Sequence, residues 1–302
     1  MTIGEWIEEL TEKIKEEMEK AGLEGDTSIQ VVKKANDREL HCLTIKSTTG
    51  RIAPVMYLDE LWDLHEKGES TRTLAEYVVS GYRGHCRRAK PFSEVLENHD
   101  ELIKLLRVKL VDKKYNQNYL KMCVHKEVDA GLACIVEARF DDEDGGYYSA
   151  TITNDLVDSH DFDKEELIDR AMKNSAEMEK PKLFVLSANI FNDRPKNIIN
   201  ELKLDTMEPL VFTTESQMHG THLIVTRPDV MKALRDKMGD FWVVPSSRHE
   251  VLIMAKSIER FTPENLIEML REANKSVVSD DDFFSNDLFE FTGRGLERYE
   301  VS

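Results

Sequence analysis

The sequence predicts an α+β protein in which a mostly antiparallel or mixed sheet packs against amphipathic helices. Hydrophobic residues recur at helical spacing in several segments, and alternating β-branched segments occur in pairs joined by short turns. Strands are predicted in both halves of the chain, without the regular strand–helix–strand alternation of a doubly wound parallel sheet. We expect a single α+β unit over residues 1–302, with a division into 1–112 and 113–302 as the alternative.

The first predicted element is an amphipathic helix. Thr2 followed by Glu5 matches a capping box, and Gly22 or Gly25 ends the helix. The apolar residues are three or four positions apart and predict one buried face: Ile3, Trp6, Ile7, Leu10, Ile14 and Met18.

A hairpin and two further helices follow in the N-terminal part. Residues 28–34 and 40–46 alternate and are rich in β-branched side chains, which predicts two paired strands. Helices are predicted over about 58–67 and 71–83, with Ser70 as the N-cap of the second. The expected buried face of that second helix consists of Leu74, Tyr77, Val78 and Tyr82.

The middle of the chain predicts a helix in two pieces around Asn98, and then a second hairpin. Residues 130–140 and 147–154 read as strands on either side of DDEDGG, where Asp144 and Gly145 suit the left-handed positions of a hairpin tip. This acidic tip lacks the spaced ligands of a calcium loop, so we predict a solvated turn there.

The C-terminal part shows the most regular succession of predicted elements. They are strands over 210–213 and 221–226, a helix from Pro228 to Gly239, strands over 241–244 and 251–254, and a helix that starts at Thr262-Pro263. A tight turn joins the last two of these strands, and the candidate chemistry of the chain is concentrated in that turn.

Two hypotheses compete for this turn. The first is a serine hydrolase, for which the turn supplies the residue types. Ser246 or Ser247 would be the nucleophile, His249 its base and Glu250 the acid that orients the base. Side chains two or three positions apart in a turn rarely converge in that way, and no G-x-S-x-G elbow is present. Serines after a proline also form ordinary turns, so a structural role is the favoured interpretation.

The net charge of −17 argues against binding to nucleic acid or to an anionic membrane, because both surfaces are negative. One basic cluster stands out in this acidic chain, at the end of a predicted helix: Arg83, Arg87, Arg88 and Lys90. The cluster is a candidate site for an anion or an acidic partner, and complementation of the helix dipole is the simpler alternative.

The sequence predicts a cytoplasmic protein without metal or cofactor. The wide spacing of the four cysteines predicts reduced thiols. The acidic N-terminus does not resemble a signal peptide. Neither His85-Cys86 nor Cys123-x-His125 has zinc-finger spacing, and no phosphate-binding glycine motif is present.

Several segments give the chain a family resemblance: FWVVPSSRHEVLIM, HGTHLIVTRPDVMKAL, APVMYLDELWD and SDDDFFSNDLFEF. On these segments it resembles an uncharacterised bacterial family found mainly in gut-dwelling Clostridia-type anaerobes, and more distantly a Bacillus-type family. The sharpest block is PSS-x-HE, residues 245–250. Thr226-Arg227 departs from the threonine-asparagine pair usual there, which weakens the idea of a fixed polar site at that position. The resemblance implies a bacterial cytoplasmic setting and brings no activity, cofactor or catalytic residue.

The leading functional hypothesis is therefore a non-enzymatic protein that binds another macromolecule, with a protein as its partner. It is motivated by the lack of any complete catalytic or cofactor motif in the sequence. The alternative is a hydrolase-like enzyme with His249 at its centre. The oligomeric state is left open.

Overall fold

A computed structural model describes residues 1–46, 55–96, 98–141, 147–191, 195–201 and 208–300. In these residues it contains eleven α-helices and three antiparallel sheets, so the predicted α+β class is confirmed. No helix within the described ranges is long and apolar enough to cross a membrane. The acidic tip at 142–146 lies outside the described residues.

The chain divides into two compact units, Met1–Leu102 and Ile103–Ser302. Asp112, near which the sequence places an alternative boundary, lies inside the second unit and is the last residue of a strand. The expectation of one α+β unit or of a division at Asp112 stays a prediction.

The first unit combines a three-stranded sheet, in the order β1-β2-β3, with helices that cover one of its faces. Its elements are α1 (Ile3–Lys20), β1 (Asp26–Lys33), β2 (Glu39–Lys46), β3 (Val55–Tyr57), α2 (Asp59–Glu66) and α3 (Thr71–Leu96), followed at the boundary by α4 (His99–Leu105). The capping box of Thr2 and Glu5 is present, and Trp6, Leu10 and Ile14 are fully buried. The N-terminal helix and the first hairpin are thus confirmed.

Two expectations for α3 were wrong. The helix does not end near Arg83 but continues to Leu96, so the basic cluster lies inside the helix and cannot complement its C-terminal dipole. Tyr77 is 68% exposed. Because the buried stripe also includes Ala75 and Val79, its centre turns away from position 77, which then faces solvent. Ser70 caps the helix as predicted, accepting from the Thr73 amide.

The second unit contains the other two sheets. Its elements before the six-stranded sheet are β4 (Leu106–Asp112), α5 (Gln117–Met122), β5 (His125–Val128), β6 (Leu132–Asp141), β7 (Tyr147–Thr151), α6 (Asn154–His160) and α7 (Lys164–Met178). Strand β6 pairs with β4 on one side and with β5 and β7 on the other. The second predicted hairpin is therefore confirmed in its two strands.

The remaining elements form the six-stranded sheet, in the order β13-β12-β10-β11-β9-β8, and its helices. They are β8 (Pro181–Val185), α8 (Leu186–Phe191), β9 (Leu210–Thr214), α9 (Leu223–Thr226), α10 (Pro228–Met238), β10 (Phe241–Pro245), β11 (Val251–Ala255), α11 (Pro263–Ser276), β12 (Phe289–Thr292) and β13 (Gly295–Arg298). Helix α11 packs on one face of this sheet, where Trp242, Met254 and Leu266 share a core.

One predicted strand of this region, 221–226, was wrong. The segment forms a 3₁₀ turn, Gly220–His222, followed by the short helix α9. Its run of apolar and β-branched residues is fully buried apart from Val225. A short run that is buried all round has neither helical nor strand periodicity, so the pattern could not separate the two structures.

A buried carboxylate joins the end of β4 to the C-terminal part of the second unit. Asp112 is fully buried and accepts from Arg298 Nη2 at 2.8 Å and from Nη1 at 3.0 Å. It also accepts from Ser285 Oγ at 2.7 Å and from the Lys114 amide at 2.9 Å. Four donors thus replace the water that the carboxylate loses on folding.

We expect Asp112→Ala to lower the free energy of unfolding of the second unit by about 3 kcal/mol, because Arg298 would lose a buried counter-charge. Urea denaturation followed by circular dichroism measures this. Lys114→Ala, which removes an exposed ion pair with Asp287 and a cation–π contact with Tyr115, is the control and should cost less than about 1 kcal/mol. Equal losses in the two variants would contradict a special role for Asp112.

Candidate functional site

The turn between β10 and β11 packs against the 3₁₀ turn that precedes α9. The His249 carbonyl accepts from the Gly220 amide at 2.8 Å and from Thr213 Oγ at 2.7 Å. The neighbouring carbonyl of Arg248 accepts from Thr221 Oγ at 2.9 Å. The backbone of the serine-rich turn is therefore fixed by hydrogen bonds from distant parts of the chain.

Only glycine fits at position 220. A Cβ there would lie 2.5 Å from Thr213 Oγ and 2.6 Å from the His249 carbonyl oxygen, far inside van der Waals contact. The chain reaches this point through two non-glycine residues in the left-handed region, Gln217 (φ 58°) and His219 (φ 52°). Such backbone conformations persist only where the surrounding structure stabilises them.

The two ring nitrogens of His249 are both engaged. Nδ1 accepts from the His219 amide at 3.0 Å, and an amide can only donate, so Nδ1 carries no proton. The proton of the neutral ring is therefore on Nε2, which donates to Asp282 Oδ1 at 2.9 Å. Arg248 Nε is 3.3 Å from the same Nε2, but a protonated nitrogen cannot accept, so Arg248 interacts with Asp282 instead. Asp282 also accepts from Ser279 Oγ at 2.8 Å and lies 3.0 Å from Arg248 Nε.

The environment favours the neutral form of the histidines and the charged form of Asp282. Burial lowers the pKa of His249, and the charge of Arg248 acts in the same direction, against the hydrogen bond to Asp282. Burial also lowers the pKa of His219, with Arg139 and Arg248 adding to the effect. Burial alone would raise the pKa of Asp282, but hydrogen bonds from Ser279 and His249 lower it overall.

The two serines do not complete a catalytic arrangement with this histidine. Ser247 Oγ accepts from the His249 amide at 3.0 Å, and Ser246 Oγ lies 3.4 Å from Glu250 Oε1. Burial raises the pKa of Glu250. A hydrolase needs the serine hydroxyl at a free ring nitrogen, yet His219 and Asp282 take both nitrogens. These contacts stabilise the turn, and the hydrolase hypothesis gains no support from them.

Sequence reasoning missed a second polar cluster, which is largely buried beside this turn. Arg139 on β6 lies between Glu137, at 2.9 Å, and Glu179, with which it also pairs. Glu179 Oε2 is 2.6 Å from Nε2 of the fully buried His222. Burial would raise the pKa of Glu179, but His222 and Arg139 lower it overall. Sequence alone gave no signal for Glu179, because its partners Arg139 and His222 are each about 40 positions away along the chain.

In the predicted basic cluster, the structure describes the side chain of Arg83. Arg83 donates from Nη2 to the carbonyl of Ala21, the residue that ends α1, at 3.0 Å. This contact satisfies a carbonyl at a helix C-terminus, which is a structural role. Arg87, Arg88 and Lys90 lie in α3, but their side chains are outside the described part of the structure. Anion or partner binding by the cluster stays a prediction.

The described part of the chain also contains no arrangement of side chains that could bind a metal ion. No group of three or more histidine, cysteine, aspartate or glutamate side chains is arranged there to coordinate an ion. Cys123 is buried, and His125 Nδ1 lies 2.9 Å from the Cys123 carbonyl oxygen. The side chains of His85 and Cys86 are outside the described part.

Parts of three of the four sequence segments that carry the resemblance meet at this turn: HGTH at 219–222, PSSRHE at 245–250 and SDDDFF at 279–284. A family model of unknown function matches residues 3–292, which is nearly the whole chain. The chain belongs to the family of unknown function DUF5688. Neither a curated protein nor a solved structure matches it. Membership in DUF5688 brings no activity with it.

Gly220→Ala should destabilise the second unit by about 1–3 kcal/mol, because the new methyl group would collide with Thr213 and with the His249 carbonyl. Gly81→Ala, in helix α3 with nothing within 4 Å of the added carbon, should instead raise stability by about 0.5–1 kcal/mol. Urea denaturation of both variants measures the two changes in the free energy of unfolding. Two effects of the same sign would contradict the close approach at Gly220.

Acidification should destabilise the folded protein through His219. Its lowered pKa keeps the folded ring neutral, whereas the unfolded ring gains a proton below about pH 6.5. His219→Asn removes this proton and tolerates the left-handed backbone. Relative to wild type, the variant should gain about 1.4 kcal/mol of stability between pH 7.5 and pH 5.5. Urea denaturation at both pH values measures the difference, and parallel pH profiles would contradict the assignment.

Proposed function

We propose that this protein acts by binding another protein, and that the binding surface is the outer edge of β1. The observation that carries the proposal is the outer edge of this eight-residue strand in the first unit, to which no strand in the described part of the chain pairs. Among the described strands, β1 pairs only with β2, and it is the outermost strand of its sheet. An open strand edge is a template for pairing with another chain.

The backbone groups that face outward can be identified from one hydrogen bond. The Lys34 amide donates to the Arg38 carbonyl at 2.9 Å, in register with the β1–β2 pairing. Because successive residues of a strand direct their N–H and C=O groups to opposite sides, the even-numbered residues bond to β2. The odd-numbered residues of β1 therefore direct theirs to the open edge: Thr27, Ile29, Val31 and Lys33.

Two apolar side chains lie along the same edge. Ile29 is 39% exposed and Val31 is 57% exposed, and Ile29 is paired with the fully buried Leu43 of β2. Paired residues share a face of the sheet, so the apolar face of the first unit continues past the area that its helices cover. Soluble proteins commonly protect open edges with charges, proline or bulges, and the charges of β1 are at its ends, Asp26 and Lys33.

Recognition by strand addition fits this edge. Main-chain hydrogen bonds give such complexes affinity, and alternate side chains give them specificity. A protein strand suits the site better than nucleic acid, because the chain carries a net charge of −17. The serine-rich turn offers less, because its carbonyls and imidazole nitrogens are bonded internally.

The setting in which we place this binding is the cytoplasm of a bacterium. The family resemblance of the sequence supports a bacterial source. The three cysteines with described side chains, Cys42, Cys123 and Cys134, are buried free thiols, which suits a reducing compartment.

Affinity capture with edge variants tests the proposal. Ile29→Lys/Val31→Lys places two charges on the exposed part of β1, whereas Met269→Lys changes an equally exposed apolar residue of α11. Proteins captured by wild type in the native host should be lost with the β1 variant and retained with Met269→Lys. The same set of captured proteins from all three baits would contradict binding at β1.

A further inference from the structure

We propose that the strand accepted by β1 is the β1 strand of a second copy of this chain. The two copies would form a continuous antiparallel sheet of six strands across a two-fold axis. This inference rests on the proposed function above and names the partner of the same surface.

The length and hydrogen-bonding pattern of β1 select one register for this pairing. A two-fold axis normal to the sheet keeps each face on its own side, so odd-numbered residues pair with odd-numbered ones. With the axis at Gln30, Ile29 pairs with Val31 of the second copy, and Thr27 pairs with Lys33 of the second copy. Every outward-facing residue of the strand then belongs to a hydrogen-bonded pair.

In that register, the side chains of β1 are complementary to those of β1 in the second copy. Ile29 and Val31 lie opposite each other twice, which covers the two exposed apolar side chains of β1 in both copies. Asp26 comes opposite Lys34 of the second copy, also twice, so an acidic and a basic residue face each other at both ends of the new ladder. The Lys34 ammonium, which lies 4.8 Å from the centre of the Tyr57 ring in one copy, would turn from that ring to Asp26. An unrelated strand would satisfy the backbone groups but has no reason to match both features.

The neighbouring registers fit less well. With the axis at Ile29, Lys33 would come opposite Gly25, which precedes β1. With the axis at Val31, Thr27 would come opposite Ala35, which follows the strand. Each of these shifts leaves an outward-facing residue of β1 without a strand partner. Self-association with the axis at Gln30 is therefore the pairing that the strand supports best.

Sedimentation velocity of the full chain across a concentration series tests the association. The wild type should show a reversible monomer–dimer equilibrium. Val31→Pro should be monomeric, since it removes an outward N–H while the ladder to β2 uses even-numbered amides. Val31→Lys, which needs no change in backbone angles, should also be monomeric, and Met269→Lys should dimerise like wild type. Circular dichroism verifies that each variant is folded.

A charge exchange tests the register itself. Asp26→Lys turns both end contacts into repulsions and should raise the dimer dissociation constant about tenfold. Asp26→Lys/Lys34→Asp restores opposite charges and should return the constant to within about twofold of wild type. Hydrogen exchange should show protection of the outward-facing amides of Thr27, Ile29, Val31 and Lys33 that increases with protein concentration.

The outcomes separate this inference from the proposed function. A monomeric wild type overturns the second copy as partner, whereas capture of other proteins that depends on Ile29 and Val31 would still support the proposed function. A dimer that persists in Val31→Pro and Val31→Lys overturns β1 as the interface. A failure of the double charge variant to recover affinity overturns the register.

Discussion

The close approach of Gly220 to the His249 carbonyl is the constraint on which the geometry of the serine-rich turn depends. The carbonyl takes two donors, the Gly220 amide and Thr213 Oγ, and there is no space for a side chain between them. The His219 amide then comes within 3.0 Å of His249 Nδ1, which fixes the tautomer and directs Nε2 to Asp282. The close approach at Gly220 thus accompanies a fixed orientation of the imidazole, while burial keeps the ring neutral.

Much of the fold could be predicted because its signals are local. The helical spacing and capping box of α1, the Thr262 cap of α11, and the proline and glycine that bound α10 each reside in a few consecutive residues. Prediction failed where local pattern carries no information. The buried segment at 221–226 lacks periodicity, and Tyr77 is exposed only because the packing of α3 rotates the buried face.

At the candidate site, local sequence patterns predict even less, because the contacts join distant parts of the chain. The sequence located the turn and its residue types, including Ser246, Ser247 and His249, but not their partners. Asp282 is 33 positions from His249, and Thr213 is 36 positions away, so no spacing rule connects them. In the Arg139 cluster, the pair with Glu179 is harder still to predict, because it depends on how β6 packs against α7. Residue types could be predicted, but which atoms meet could not.

The serine-rich turn and the open edge of β1 differ in what ligand binding would cost the fold. A turn whose carbonyls, hydroxyls and imidazole are bonded internally would have to break those contacts before it could act on a ligand, at a cost of about 1 kcal/mol or more for each contact. The odd-numbered backbone groups of β1 are opposed by no other described strand and exchange water for a partner strand without such a loss. Binding at an open sheet edge therefore requires less rearrangement of this fold than catalysis at the turn.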